Sequence, residues 1–226
     1  GSLLSKGLKI GEDTGYDSGS TLDFVYRNQS ESSNALGNII DRQYLNAIGW
    51  RGIRIRKQNI EYLIQKYAAC LQQTSKAVKI LDIASGHGRY ILDAVEHLPT
   101  RPESILLRDY SEINVQAGQQ MIAERGLSDI AQFVQADAFD TASLASIQPK
   151  ATLAVVSGLY ELFSDNSLLN QSLTGLNQAI ESGGYLIYTG QIWHPQQEFI
   201  ARALSSHRQG DAWVMRLRSQ AEMDAL

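Results

Sequence analysis

An alternation that begins at Val78 constrains this chain more than any other feature. A short, nearly uninterrupted apolar run is followed by a stretch with helical spacing, and the pattern repeats along the chain. The runs are Val78–Ile83, Ser104–Arg108, Ala131–Gln135, Ala151–Val156 and Tyr185–Thr189. Strands this apolar are buried on both faces, and a helix between successive strands makes them parallel. The spacing therefore predicts an α/β fold with a Rossmann-like doubly wound parallel sheet, strand order 3-2-1-4-5. The intervening helices carry their own punctuation. One spans Arg89 to Leu98, and Ser111 caps the next, with Ile113, Ala117 and Met121 four apart and Gly126 at its end. Asp165 or Asn166 opens a third, with Leu169, Leu173, Leu176 and Ile180 on one face.

The chain before the alternation reads differently. Residues 1–33 are rich in Gly, Ser, Asp and Asn, but Tyr16, Phe24 and Tyr26 are costly to leave in water, so they read as an irregular arm that packs over something. Two helical stretches follow. Ala35–Ile48 carries Leu36, Ile39, Ile40, Tyr44 and Ile48; Arg51–Leu71 carries Ile53, Ile60, Ile64, Tyr67 and Leu71 on one face. The expected organisation is an N-terminal arm and helical cap over residues 1–75, covering the pocket of a ligand-binding domain over residues 76–226. The tail from Gln196 holds a helix, the segment Ala212–Arg218 and a helical start at Ser219. Gly1-Ser2 reads as a cloning scar, with the natural protein beginning further upstream.

With 43% hydrophobic and 19% charged residues, the chain has ordinary globular composition. A formal net charge of −4 gives no global reason to expect nucleic acid. One cysteine, Cys70, excludes an intramolecular disulfide, and with no secretory signal or membrane span the expected location is cytoplasmic. Cys70 and Met121 read as core. There is no Cys/His cluster for a metal and no G-x-S-x-G elbow for serine hydrolase chemistry.

Four strand ends carry the chemistry. The first is Asp82-x-Ala84-x-Gly86-x-Gly88, where small residues let the main chain approach a ligand and a helix start presents free N–H groups. The second is Asp109, twenty-one residues after Gly88, whose two oxygens can accept from both hydroxyls of a ribose. The third, Asp137-Ala138-Phe139, is placed to reach an adenine amine. The fourth, Ser157-Gly158-Leu159-Tyr160-Glu161, lies over the pocket mouth. Acids at strand ends are common one at a time; all four in order are specific.

This constellation resembles the class I S-adenosylmethionine-dependent methyltransferases, over roughly Lys76 to Gln191. The resemblance implies S-adenosylmethionine as cofactor, with Asp82, Ala84, Gly86 and Gly88 at its aminocarboxypropyl arm and Asp109 at the ribose. It places Asp137 and Ala138 at the adenine, Tyr110 and Phe139 against the adenine face, and Ser157 at the pocket edge. Ala84 stands where many members have the first glycine. A tighter resemblance is to a bacterial methyltransferase group that often follows an α/β-hydrolase-type domain on the same polypeptide. It is carried by Gly15-Tyr16-Asp17-Ser18-Gly19, Asp23-Phe24-Val25-Tyr26-Arg27-Asn28, Ile48-Gly49-Trp50-Arg51-Gly52-Ile53-Arg54 and Tyr188-Thr189-Gly190-Gln191. It implies such a hydrolase domain on the natural polypeptide, and two further strands beyond Leu226.

The main rival is an NAD(P)-dependent oxidoreductase, whose G-x-G-x-x-G loop needs a third glycine; Arg89 or Ile91 stands there instead. A non-catalytic S-adenosylmethionine-binding module is the other alternative. For methyl transfer, the candidate catalytic residues are Tyr160, Glu161 and His194, with Glu161 or His194 as base and Tyr160 facing the sulfonium. Tyr16, Asp17, Tyr26 and Arg27 are candidate substrate residues, as a lid or as simple packing. His87 reads as loop-shaping. Arg51, Arg54, Arg56 and Lys57 read as a solvated basic face or an anion site. Ser157-Gly158-Leu159-Tyr160 replaces the Asn-Pro-Pro-Tyr motif of many amino-group methyltransferases. That leaves a small-molecule or lipid-like acceptor, with no nucleic acid partner and no metal.

Overall fold

The structure is a computed structural model and describes residues 2–226. Its central feature is a five-stranded sheet of parallel pairs in the order β3-β2-β1-β4-β5. The strands are β1 Lys79–Ile83, β2 Ser104–Asp109, β3 Ala131–Gln135, β4 Ala151–Val156 and β5 Ile180–Tyr188. Every residue of β4 is buried, as is all of β1 after Lys79, which is why their sequences show no polar alternation. The order runs outward from β1 in both directions, so the carboxyl ends of β1 and β4 flank the point where the winding reverses. Ligands of open α/β sheets bind there.

The helices are α1 Lys6–Thr14, α2 Gly19–Arg27, α3 Ala35–Leu45, α4 Ile48–Gln73, α5 Arg89–Glu96, α6 Glu112–Glu124, α7 Thr141–Ala145, α8 Asn166–Ala179, α9 Gln197–Ala203 and α10 Gln220–Asp224. No helix among the described residues is long and apolar enough to cross a membrane. The chain forms two compact units. One comprises residues 1–58 and 193–215, the other residues 59–192 and 216–226.

In the sheet-bearing unit, the α7–α8 side of the core joins Leu81, Ile83, Leu144, Ala154, Val156, Leu169 and Leu176. Asp165 caps α8 through the Ser167 N–H, and Asp140 caps α7 through the Ser143 N–H. β5 begins earlier than its apolar run suggests. Ile180 pairs with Ala151, the register shifts, and pairing resumes at Leu153–Tyr185, with Gly183 and Gly184 in the irregularity. Met121 is buried, whereas Cys70 is only half-buried, because it lies beside the fully buried Ala68–Leu71 stripe of α4.

The other unit holds the expected irregular arm, and much of that arm is helical. The Ser, Asn and Gly residues that suggested irregular chain act as helix punctuation. Ser5 caps α1, Ser18 caps α2 and Asn34 caps α3, each by accepting a backbone N–H three residues on, and Asn28 ends α2 in a left-handed conformation. Gly11, on the buried face of α1, lets the Tyr16 ring pack where a Cβ would stand 2.3 Å from its Cε1. An aromatic cluster of Tyr16, Phe24, Tyr44, Trp50 and Trp213 forms this core, with Trp50 and Trp213 stacked at 5.9 Å. Asp41 is fully buried and accepts from the Ser5 and Ser32 hydroxyls and the Gly7 and Glu31 N–H groups. Leu36, Ile39 and Ile48, expected on a buried helix face, are more than half exposed.

Candidate cofactor site at the sheet's carboxyl edge

The loop after β1 is an unusual piece of backbone. Ala84, Gly86 and Gly88 all have positive φ, at 55°, 57° and 75°. Ala84 thus adopts the left-handed conformation that a glycine would take freely, at a cost of about 1–2 kcal/mol. Gly88 cannot be replaced so simply, since a Cβ there would meet Leu107 Cδ1 at 2.5 Å. The turn is sewn by Ser85: its hydroxyl donates to the Asp82 carbonyl, its N–H to the Arg108 carbonyl, and its carbonyl accepts the Gly88 N–H. Gly88 opens α5 with no side-chain cap, leaving the first N–H groups of that helix to a ligand.

Asp109, at the end of β2, binds this loop directly. Its Oδ2 accepts the Gly86 N–H at 2.8 Å; its Oδ1 accepts the Ser111 N–H and the Asn114 amide, both at 2.9 Å. Tyr110 beside it is 72% exposed. After β3, Asp137 Oδ1 accepts the Phe139 N–H, Ala138 is buried, and the Phe139 ring meets Phe163 edge-on at 4.7 Å.

Asp82 is fully buried. Tyr90 donates to its Oδ2 at 2.7 Å, and its Oδ1 has no hydrogen-bond partner. Burial pushes this carboxyl up to about 8, with the Asp109 charge adding to the rise against hydrogen bonds from Tyr90 and Ser85. It is therefore a neutral acid near pH 7. Ser157, just past the end of the adjacent β4, is also buried with its hydroxyl unpartnered.

The loop after β4 is tightly held. The Gly158 N–H donates to Thr189 Oγ1, and Tyr160–Leu162 form a single 3₁₀ turn. Tyr160 is buried in the core, its hydroxyl 3.0 Å from Ser172 Oγ, and burial raises that phenol to about 12. Glu161 is buried beside it, and its carbonyl accepts the Arg216 N–H. The tail supplies Arg218, which sequence reasoning passed over. Its guanidinium donates to the Tyr160, Phe163 and Ser164 carbonyls and to Asn166 Oδ1. An arginine at the end of the Ala212–Arg218 segment carries no sequence signal for that role.

The remaining candidates, His87 apart, belong to the other unit. His194 Nδ1 accepts the Gln196 N–H at 3.0 Å, so Nε2 carries the proton in the neutral ring, and burial lowers its pKa. Asp17 accepts from the Ser206 hydroxyl and the His207 N–H, with His207 Nδ1 3.0 Å away. Burial alone would raise Asp17, but these His207 and Ser206 interactions outweigh it and hold the carboxyl below its ordinary range. Arg27 pairs with Asp23 and Glu31, and Tyr26 is half-buried. His87 is half-buried within the glycine loop. In the basic cluster Arg51 is exposed, while Arg54 holds its Nη1 buried without a partner. Among the described residues, no group of three His, Cys, Asp or Glu is placed to hold a metal.

The structure thus brings Asp82, Ala84, Gly86, Gly88, Asp109 and Ser157 to one edge of the sheet, with Asp137–Phe139 at the end of the neighbouring β3.

Known proteins with this architecture are diverse in sequence. An O-methyltransferase family protein from Burkholderia thailandensis superposes with a TM-score of 0.55 at 12% identity, covering 80% of this chain and 54% of that one. A protein of Bordetella parapertussis described as a possible exported protein superposes at 0.66 and 13% identity, covering 92% of this chain and 70% of that one. At such identities the likeness is one of fold. In sequence, the chain is 56% identical over 222 residues to YnbC, an uncharacterised protein of Escherichia coli K12; the match covers 98% of this chain but only 38% of YnbC. A family model described as "Putative methyltransferase" matches residues 1–226, and the chain belongs to that family.

Proposed function

We propose that this chain binds S-adenosylmethionine at the carboxyl edge of its sheet and transfers the methyl group to a small-molecule or lipid-like acceptor. The observation that carries the reading is the buried Asp109 carboxylate bonded to the Gly86 N–H of a left-handed loop. Family membership supports it independently. The unused donors and acceptors suit such a ligand. The uncapped N-terminus of α5 suits a carboxylate, and the second acceptor site on Asp109 Oδ2 suits a ribose hydroxyl. Asp82 Oδ1 and Ser157 Oγ are buried polar atoms awaiting partners.

Bound there, S-adenosylmethionine supplies a methyl on a sulfonium leaving group, so the protein's work is chiefly alignment. Asp109 orients the ribose, Asp137 accepts from the purine amine, and Tyr110 and Phe139 offer aromatic faces. Asp82, protonated near neutral pH, presents its proton at Oδ1, since Tyr90 donates to Oδ2. Glu161 is the candidate base for an acceptor that must lose a proton. Its neighbour Tyr160, bonded to Ser172, supports that turn from below.

Calorimetric titration with S-adenosylmethionine and with NADH tests the reading. The first ligand should bind and the second should not. Asp109→Ala should weaken binding at least about tenfold, or about 1.4 kcal/mol. A loss below about threefold, or binding of NADH in place of S-adenosylmethionine, would sink the assignment.

A further inference from the structure

The residue before Asp109 is the least satisfied charge near this edge. Arg108 is only 3% exposed, and its backbone is locked on both sides to Ser85 of the glycine loop. One guanidinium nitrogen, Nη2, donates to Ser143 Oγ at 2.6 Å. The other two, Nε and Nη1, are buried with no hydrogen-bond partner. Ser143 in turn donates its N–H to Asp140, the N-cap of α7, where the turn Asp137–Asp140 ends. Asp140 and Asp137 are the charges that favour the buried guanidinium. Each has one oxygen engaged by a backbone N–H, of Ser143 and Phe139 respectively.

A buried guanidinium with one bond made and two unmade is costly unless the arrangement is used. Here it braces one side of a single turn through Ser143, with the Asp137 and Asp140 charges acting on it through space. We propose that Arg108 is a positioning residue: through Ser143 and the Asp137–Asp140 turn, it sets how that turn meets the 6-amino group of a bound purine. Asp109 and Arg108 would then divide the labour of one strand end. Asp109 orders the glycine loop, and Arg108 orders the turn after β3. A carboxylate held at the 6-position accepts from an amine and repels a carbonyl oxygen, so the braced turn discriminates adenine from its deaminated form.

This inference rests on the cofactor reading above, and one set of titrations separates the two. S-adenosylhomocysteine and its deaminated analogue S-inosylhomocysteine are titrated into the wild type, Arg108→Met, Arg108→Lys and Ser143→Ala. The wild type should prefer the adenine ligand by about tenfold or more, and Arg108→Met should narrow that preference to about threefold or less. The deaminated ligand should bind both proteins with similar affinity. Arg108→Lys should recover only part of the preference, because lysine lacks the planar fork. Ser143→Ala cuts the same brace at a half-buried serine and decides the matter should Arg108→Met fail to fold. If both ligands weaken by the same factor, or if the preference survives both cuts, Arg108 is scaffold and the inference falls alone. If the wild type binds neither ligand, the cofactor reading falls and takes this inference with it.

Discussion

Two buried arginines under neighbouring strand-end loops make opposite use of the same side chain. Arg218 and Arg108 are both 3% exposed. Arg218 spends all three guanidinium nitrogens on four acceptors, three of them carbonyls around the 3₁₀ turn after β4. Arg108 spends one nitrogen, on Ser143. The contrast separates a fastening from a brace with slack. Carbonyls at the end of a helical turn have no partners within it, and a fully engaged guanidinium is the most efficient way to supply them from outside. The loop that carries Tyr160 and Glu161 is thereby fixed before any ligand arrives. The turn after β3 rests on a guanidinium that still has donors to offer.

Mutations can break that contrast, and a large effect should come from the satisfied residue. Arg218→Met withdraws the buried guanidinium that bonds the Tyr160, Phe163 and Ser164 carbonyls and Asn166, and should cost about 3 kcal/mol, read as a lower urea midpoint at unchanged slope. A cost under about 1 kcal/mol would mean that the loop holds itself and the fastening is nominal. A comparable effect, spread over a range of pH, concerns Asp82, the acid with an orphan atom at the same edge. Its folded pKa lies near 8, above its unfolded value, so the folded state holds a proton that the unfolded state has released. Stability from this group is full below the unfolded pKa and drains as pH rises towards about 8. Asp82→Asn removes the titration, so the wild type should lose roughly 3 to 4 kcal/mol relative to the variant between pH 5 and pH 8. Parallel stability profiles for the two proteins would overturn the neutral-acid assignment. The smallest effect should come from Arg108→Met, which gives up one hydrogen bond but also an unpaired buried charge, for a net change within about 1 kcal/mol. A loss as large as that of Arg218→Met would erase the distinction between brace and fastening.

How much of this was legible beforehand depends on where each signal resides. β3 and β4 were readable to the residue for different reasons: β4 is buried at every position and writes an apolar run into the sequence, whereas β3, at the sheet's edge, buries only Ala131 and Phe133 in alternation. The glycine loop was readable because positive φ restricts residue choice, and Ala84 shows the limit of that logic by taking φ 55° without being glycine. α1 and α2 were misread as irregular, since a helix built around Ser caps and glycines that admit Tyr16 and Phe24 resembles a loop in composition. The early start of β5 was hidden because a bulge interrupts the alternation that marks a strand.

What the sequence alone determined is what repeats locally. The order of strands and helices, the place of the glycine loop, and an acid at the end of each of β1 and β2 all follow from periodicity and from residues with narrow backbone preferences. What only the tertiary structure decided is which side chains share buried space. Nothing local connects Arg218 to Tyr160, fifty-eight residues away, or ties Arg108 to Ser143 in preference to an acid. A polar side chain becomes a fastening, a brace or a waiting ligand contact only when folding removes water from it and leaves its remaining partners to be counted. The loop from Asp82 to Gly88 could be found by reading along the chain; the state of Asp82, neutral and one hydrogen bond short, belongs to the packing around it.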